Sequence, residues 1–226
     1  MTTHSYQIPY FINEDHDISN HALVRFVKSC FEIYLSHLAE EKVLKFLSGV
    51  FVKNKHTAEF ENYSREVGLN YNAFLNEIDE EYVKDELKIK RLNAVILPFH
   101  DFYAQFSKKI EASKTVSDYL NVVDFALEYF DVKNKLKTLE EDIKDVAQKG
   151  YLVQIYDALE RVLTEAELLT GGKEMTVAEF EAVLQDGLDA TEISLIPLKA
   201  DAVFKAPDGS ELVIPGYFDM MKDYQY

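Results

Sequence analysis

The sequence predicts a mainly α-helical protein, a multi-helix domain with a few short strands at its N- and C-terminal ends. Apolar residues recur at three- and four-residue spacing through most of the 226 residues, which is the period of one helical face. Capping residues and glycines punctuate these runs at helix-length intervals. Extended texture, with Pro and Gly nearby, is confined to the two ends.

The opening Gln7-Ile8-Pro9-Tyr10-Phe11-Ile12 is a short apolar run suited to an extended segment. Pro9 biases Ile8 away from helix and removes one donor, so a strand here belongs at an edge. Asn13-Glu14-Asp15-His16-Asp17 ends it, and Ser19 or Asn20 is placed to cap a helix. Leu23, Phe26, Val27, Cys30, Phe31, Tyr34 and Leu38 form its inward stripe. A short helix fits Glu40 to Ser48 with Gly49 as its stop. A third, capped by Thr57, runs to about Val67 and ends at Gly68.

The segment Asp79–Lys109 reads as long and mostly helical, with Pro98 kinking or dividing it near Leu97. Thr115 with Asp118 forms an N-terminal capping pair ahead of Val116, Tyr119, Leu120, Val123, Leu127 and Phe130. Two helices fit Lys133–Lys149 and Tyr151–Leu169, separated by Gly150. The first has a narrow stripe of Leu136, Leu139, Ile143 and Val146, and Gly171-Gly172 ends the second. Thr176 with Glu179 is a capping box for a last helix, which Gly187 weakens near its end. Beyond it, Ile193–Pro197 and Ala200–Phe204 read as extended. Pro207-Asp208-Gly209-Ser210 is a turn leading to Glu211–Ile214.

Hydrophobic residues make up 47% of the chain and charged residues 28%, enough apolar material for a core. With 14 Tyr, 15 Phe and no Trp, aromatic rings supply much of its volume. The single cysteine, Cys30, rules out an internal disulfide and a four-cysteine metal or cluster site, and reads as a core residue. No apolar stretch reaches membrane-spanning length, and the first residues lack a signal-peptide pattern, so the expected location is cytoplasmic. The net charge is −16, and Gly150–Phe204 carries eleven acidic and three basic residues. Such a surface repels phosphate backbones. It reads as a solvated face, with a docking face for a basic partner as the alternative.

No constellation points to catalysis. Thr170-Gly171-Gly172-Lys173-Glu174 lacks the spacing and the hydroxyl of a phosphate-binding loop, and it follows a helix. His16 and His21, with Asp15 and Asp17 beside them, are five residues apart, which is the wrong interval for ligands on one helical face. His37, His56 and His100 are scattered. Asp79-Glu80-Glu81 and Glu140-Glu141-Asp142 read as solvent-facing helix positions. No nucleophile elbow is present, and Pro215-Gly216-Tyr217-Phe218-Asp219 only faintly suggests a nuclease strand. Lys84, Lys88, Lys90 and Arg91 are diluted by Asp85 and Glu86, as on a salt-bridged helix face. The expectation is no catalytic, cofactor-binding or metal-binding residue, no cofactor, no small-molecule ligand and no membrane partner.

Several stretches, taken in order, resemble the B-type component of the AddAB/RexAB family of ATP-dependent helicase–exonucleases. These are Ile8-Pro9-Tyr10-Phe11-Ile12 with His21-Ala22-Leu23-Val24-Arg25-Phe26-Val27, then Val43-Leu44-Lys45-Phe46-Leu47-Ser48-Gly49, Phe60-Glu61-Asn62-Tyr63 and Lys114-Thr115-Val116-Ser117-Asp118-Tyr119. The most specific is Met175-Thr176-Val177-Ala178-Glu179-Phe180 through Gly187-Leu188, continuing as Ile193-Ser194-Leu195-Ile196-Pro197 and Asp201-Ala202-Val203. The resemblance covers about residues 6–204. It implies the start of a second helicase-like domain plus a helicase 2B-like helical insertion. Its implied role is a structural part of a complex that processes DNA double-strand breaks for recombinational repair. The family's nucleotide-binding loop would lie upstream, and its nuclease carboxylates and cluster cysteines downstream. Lys205–Tyr226 departs from the family pattern, leaving open a fragment, a truncated relative or a complete protein.

The expected organisation is an extended lead-in over residues 1–18, a helical domain over 19–192 with a possible sub-boundary near 68–80, and short strands with a tail over 193–226. The expected function is a non-catalytic interaction segment of an AddB/RexB-like subunit. Its partners would be an A-type helicase–nuclease subunit or flanking domains of the same subunit, with DNA engaged only in the full complex. The alternative is a stand-alone adaptor whose acidic face around Glu160–Glu192 binds a basic protein.

Overall fold

A computed structural model describes the backbone of residues 15–18, 21–71, 73–81, 83–142, 146–170, 172–194, 202–205 and 211–214. It describes the side chains of this set except at 15–17, 140–142, 146–154 and 192 onward. Among the described residues there are eight α-helices and four short strands, as the fold class predicts. The expected run Gln7–Ile12, Ile143, Gly171, the turn 207–210 and the tail 215–226 lie outside the described residues.

Helix α1, Ala22–Leu35, buries Leu23, Val24, Phe26, Val27, Cys30, Phe31 and Ile33. Its N-cap is His21, beyond the expected Ser19 or Asn20, which lie outside the described residues; the His21 Nδ1 accepts the Leu23 N–H at 3.2 Å. The turn into α2, Glu40–Leu47, puts His37 and Leu38 at positive φ (52° and 58°). That conformation is costly for a γ-branched residue, and burial of the Leu38 side chain offsets the cost.

Helix α3, Thr57–Val67, stops at Gly68 in the left-handed region (φ 64°), as its sequence predicts. Its N-cap is His56, not Thr57. The Thr57 hydroxyl instead accepts the Asn54 N–H at 2.9 Å and is buried as the first helical residue. A single 3-10 turn, Ala73–Leu75, buries Phe74 completely.

Helix α4, Glu86–Ala112, is shorter at its start than expected, because Asp85 caps it by accepting the N–H groups of Leu87 and Lys88. It runs undivided through Pro98. Proline removes the donor for the Ala94 carbonyl. Asn54 supplies a replacement, its Nδ2 donating to that oxygen at 2.9 Å. On the far side of the same turn the Tyr129 hydroxyl meets the Pro98 carbonyl at 3.2 Å and the Asp101 carboxylate at 2.7 Å. Burial and that carboxylate push the Tyr129 phenol up to about 12.

Helix α5, Val116–Tyr129, opens with the predicted Thr115/Asp118 capping box. Helices α6, Val132–Asp142, and α7, Val146–Thr170, follow. The expected break at Gly150 is overturned, since Gly150 lies inside α7. A single glycine costs a helix only about 1 kcal/mol, which the rest of a 25-residue helix can absorb. In α6, Leu136 is buried as predicted while Leu139 is exposed. Helix α8, Val177–Asp189, carries the predicted Thr176/Glu179 capping box. It crosses α7 so closely that a Cβ on Gly187 would come within 2.7 Å of Val162 Cγ1.

Strand β1, Asp15–Asp17, pairs antiparallel with β2, Glu192–Ser194, bringing together the two ends of the helical region. Strands β3, Ala202–Lys205, and β4, Glu211–Ile214, form an antiparallel hairpin.

The core is continuous from Ile18 to Leu188 and built around phenylalanine. Phe46 of α2 lies 5.5 Å from Phe102 of α4 and 5.7 Å from Phe130, while Phe102 and Phe130 are 4.8 Å apart. Phe180 of α8 stacks on Tyr119 of α5 at 4.9 Å and meets Phe31 of α1 at 5.3 Å. Each buried ring contributes about 1.5–3 kcal/mol through area alone.

Candidate functional site

Two surfaces stand out on this scaffold, an acidic outer side of α7 and α8 and a cleft beside the first half of α4. On the first, Asp157, Glu160, Glu165, Glu167, Glu174, Asp186 and Asp189 are exposed. Two of these carboxylates have a described side-chain partner of opposite charge or hydroxyl type: Lys28 lies 3.2 Å from Asp189, and Ser117 donates to Glu167. Leu168 and Leu169, at the end of α7, are 76% and 86% exposed, the largest values among the exposed bulky apolar residues.

The second surface is a cleft of about 670 Å³ between the loop around Glu77–Glu80 and one side of α4. Ile78, Ile89, Ala94, Leu97 and Pro98 contribute apolar surface, and Glu77, Asp79, Glu80 and Glu86 contribute carboxylates. Asn93 holds the loop to the helix. Its Oδ1 accepts the Ile78 N–H at 2.9 Å, and its Nδ2 donates to the Ile78 carbonyl at 2.7 Å. The side-chain amide thus pairs with backbone as a neighbouring strand would, in a site where Asn93 is only 7% exposed. Sequence reading missed this bracket. Its one signal was a polar residue set among Leu92, Val95 and Ile96 on a helix whose neighbours turn inward.

The residues weighed for chemistry are dispersed. Asp79-Glu80-Glu81 sits in the loop before α4 and not on a helix, with the Asp79 carboxylate accepting the Glu81 N–H at 2.9 Å. Glu140-Glu141-Asp142 ends α6, and these side chains lie outside the described set. Lys84, Lys88 and Arg91 have separate engagements: Lys84 with the Glu80 carbonyl, Lys88 over the Tyr63 ring, and Arg91 in a two-pronged pair with Glu59 at 2.8 Å. The Arg91 hydrogen bonds hold the Glu59 carboxyl below its usual range. Gly172, φ 76°, follows the end of α7 as a helix stop.

His16 lies on β1, while His21 works as a helix cap whose partial burial lowers it to about 4. Cys30 is buried, and burial raises its thiol well above the ordinary value. Among the described residues no three His, Cys, Asp or Glu side chains converge in a metal-binding group. No helix among them is long and apolar enough to cross a membrane.

In sequence, the chain is similar to helicase–nuclease subunits of the B type. The chain is 26% identical over 220 residues to the B-type subunit of the ATP-dependent helicase/deoxyribonuclease of Clostridium perfringens, covering 88% of this chain and 19% of that protein. The same-named protein of Caldanaerobacter subterraneus subsp. tengcongensis is 28% identical over 222 residues, and that of Bacillus licheniformis 22% over 227; each covers 88% of this chain. The chain therefore spans about a fifth of the length of these curated relatives. No family model matches it.

Proposed function

We propose that the chain is a non-catalytic, helical interaction segment of an AddB/RexB-like helicase–nuclease subunit, serving DNA double-strand break processing through contacts with flanking domains of that subunit or with an A-type partner. The observation that carries this reading is the similarity to B-type helicase/deoxyribonuclease subunits along 88% of the chain. The residues on which the resemblance rests fit a scaffold role, since Phe26, Val27, Val43, Phe46, Leu47, Phe60, Tyr63, Phe180 and Leu188 are all buried. A net charge of −16 argues against grip on DNA by this segment alone, because such affinity comes from neutralising phosphates.

The test is co-expression of the tagged chain with an A-type subunit and, separately, with the domains that flank the matching region in an AddB/RexB-type protein. Co-elution with either, and no retention of duplex DNA by the chain alone, is the expected result. Tight duplex binding by the isolated chain, or no association with either partner, would overturn it.

The exposed carboxylates of α7 and α8 favour a second reading, an acidic adaptor for a basic protein. That reading predicts association that fades steeply with salt and is lost on charge reversal at Glu165 and Asp186.

A further inference from the structure

The cleft beside α4 has an apolar floor. Ile89, Asn93 and Leu97 follow one another at four-residue spacing, so they line one side of the helix over about 12 Å. Leu97 remains 40% exposed. Pro98 closes this line with a residue that offers no N–H. Opposite, Ile78 is held in place by the Asn93 bracket, which keeps both walls formed without an occupant.

The rim carries an excess of negative charge, four carboxylates against Lys90. Among the described residues none of Glu77, Asp79, Glu80 and Glu86 forms an ion pair, whereas Glu32 takes Lys42 and Lys45, and Glu59 takes Arg91. Two nearby cations are drawn off, Lys88 and Arg91 reaching Tyr63 and Glu59 of α3, while the Lys84 ammonium meets the Glu80 backbone carbonyl and not a rim carboxylate. Among the described residues Lys90 alone contributes positive charge to the lining. The one polar side chain of the floor, Asn93, has its amide engaged by the Ile78 backbone and Glu77, which leaves little on the floor to orient a small polar molecule. Apolar contact with a charged rim is instead how grooves take amphipathic helices.

We propose that this cleft docks a polypeptide segment with lysine or arginine beside aliphatic side chains, in the manner of a basic amphipathic helix. The aliphatic groups lie along Ile89, Ala94 and Leu97, and the cations meet Glu77, Asp79, Glu80 and Glu86. A preformed groove lowers the ordering cost of binding, and the rim charge supplies steering and orientation. The groove is a property of this chain alone, so it stands or falls separately from the proposed role in a helicase–nuclease.

The experiment measures fluorescence anisotropy of a labelled amphipathic peptide of leucine and lysine on the full chain, with a glutamate-for-lysine peptide as control. The lysine peptide binds and the glutamate peptide does not. Leu97→Ser and the pair Glu80→Lys with Glu86→Lys each weaken binding about tenfold or more, as loss of an apolar anchor or of charge pairing requires. Glu165→Lys with Asp186→Lys, on the distant acidic side, leaves it within about twofold. Unchanged thermal unfolding of the variants certifies their fold. Equal loss in the distant pair would mean the peptide reads only net charge, and would overturn the proposal. So would an unaffected Leu97→Ser variant, or self-association of the wild type that Leu97→Ser abolishes, which would assign the groove to a second copy.

Discussion

The Asn54 side chain donates to the Ala94 carbonyl at 2.9 Å, and that carbonyl is the one left without a helical donor by Pro98. A residue forty positions upstream thereby completes the hydrogen bonding of α4. Its Oδ1 also accepts the His56 N–H at 2.8 Å, so the same amide organises the start of α3. Asn54→Ala is expected to cost about 1–2 kcal/mol in denaturant unfolding. Pro98→Ala restores an N–H for Ala94, so the Asn54→Ala cost should shrink in that background. A double-mutant cycle without coupling would refute the link.

Asn93→Leu fills a similar volume but leaves the buried Ile78 N–H and carbonyl without their side-chain partner. A loss of about 3 kcal/mol is expected, with faster amide exchange at Ile78. Asn93→Asp retains the acceptor for the Ile78 N–H but sets a carboxylate against the Ile78 carbonyl and beside Glu77, so it should rescue little.

Gly187→Ala would ordinarily stabilise a helix by about 1 kcal/mol. Here the new methyl meets Val162 Cγ1 at 2.7 Å, a stiff β-branched side chain in a packed interface. Net destabilisation of about 1–2 kcal/mol follows, reversing to a gain when Val162→Ala makes room. Thermal melts of the two single variants and the double variant decide it.

His21 must be neutral at Nδ1 to accept the Leu23 N–H, and its partial burial lowers it from 6.5 to about 4. The unfolded chain therefore binds this proton at a higher pH than the folded one. Stability falls as pH drops from about 6.5 toward 4, by about 1–2 kcal/mol after allowing for the ring's exposure to water. His21→Asn keeps a capping oxygen without titrating and should flatten that part of the profile. An unchanged slope in the variant would exclude His21 as its source.

The helices were legible where local chemistry decides them. The capping boxes at Thr115/Asp118 and Thr176/Glu179 and the stop at Gly68 form from residues only a few positions apart, so the sequence carries the whole interaction. Gly150 misled because one glycine costs only about 1 kcal/mol, too little to end a helix of 25 residues. Of the two outcomes expected at Pro98, a division does not occur: the orphaned carbonyl is answered by Asn54, a contact invisible to a local window. The α4 cleft was not legible at all. It needs Ile78 and Ile89–Pro98 brought together by Asn93, a tertiary event with no sequence period. The acidic side of α7 and α8 was visible as a charge imbalance, although its extent depended on which carboxylates the packing turned outward.

Cys30 is the sole thiol of the chain, sealed in the face of α1 that meets the phenylalanine core. Alkylating reagents can reach it only when that core comes apart. Its modification rate in the native state is therefore an intrinsic clock for opening. When closing outruns the chemistry, the ratio of native to unfolded labelling rates gives the opening equilibrium directly, and no probe has to be introduced.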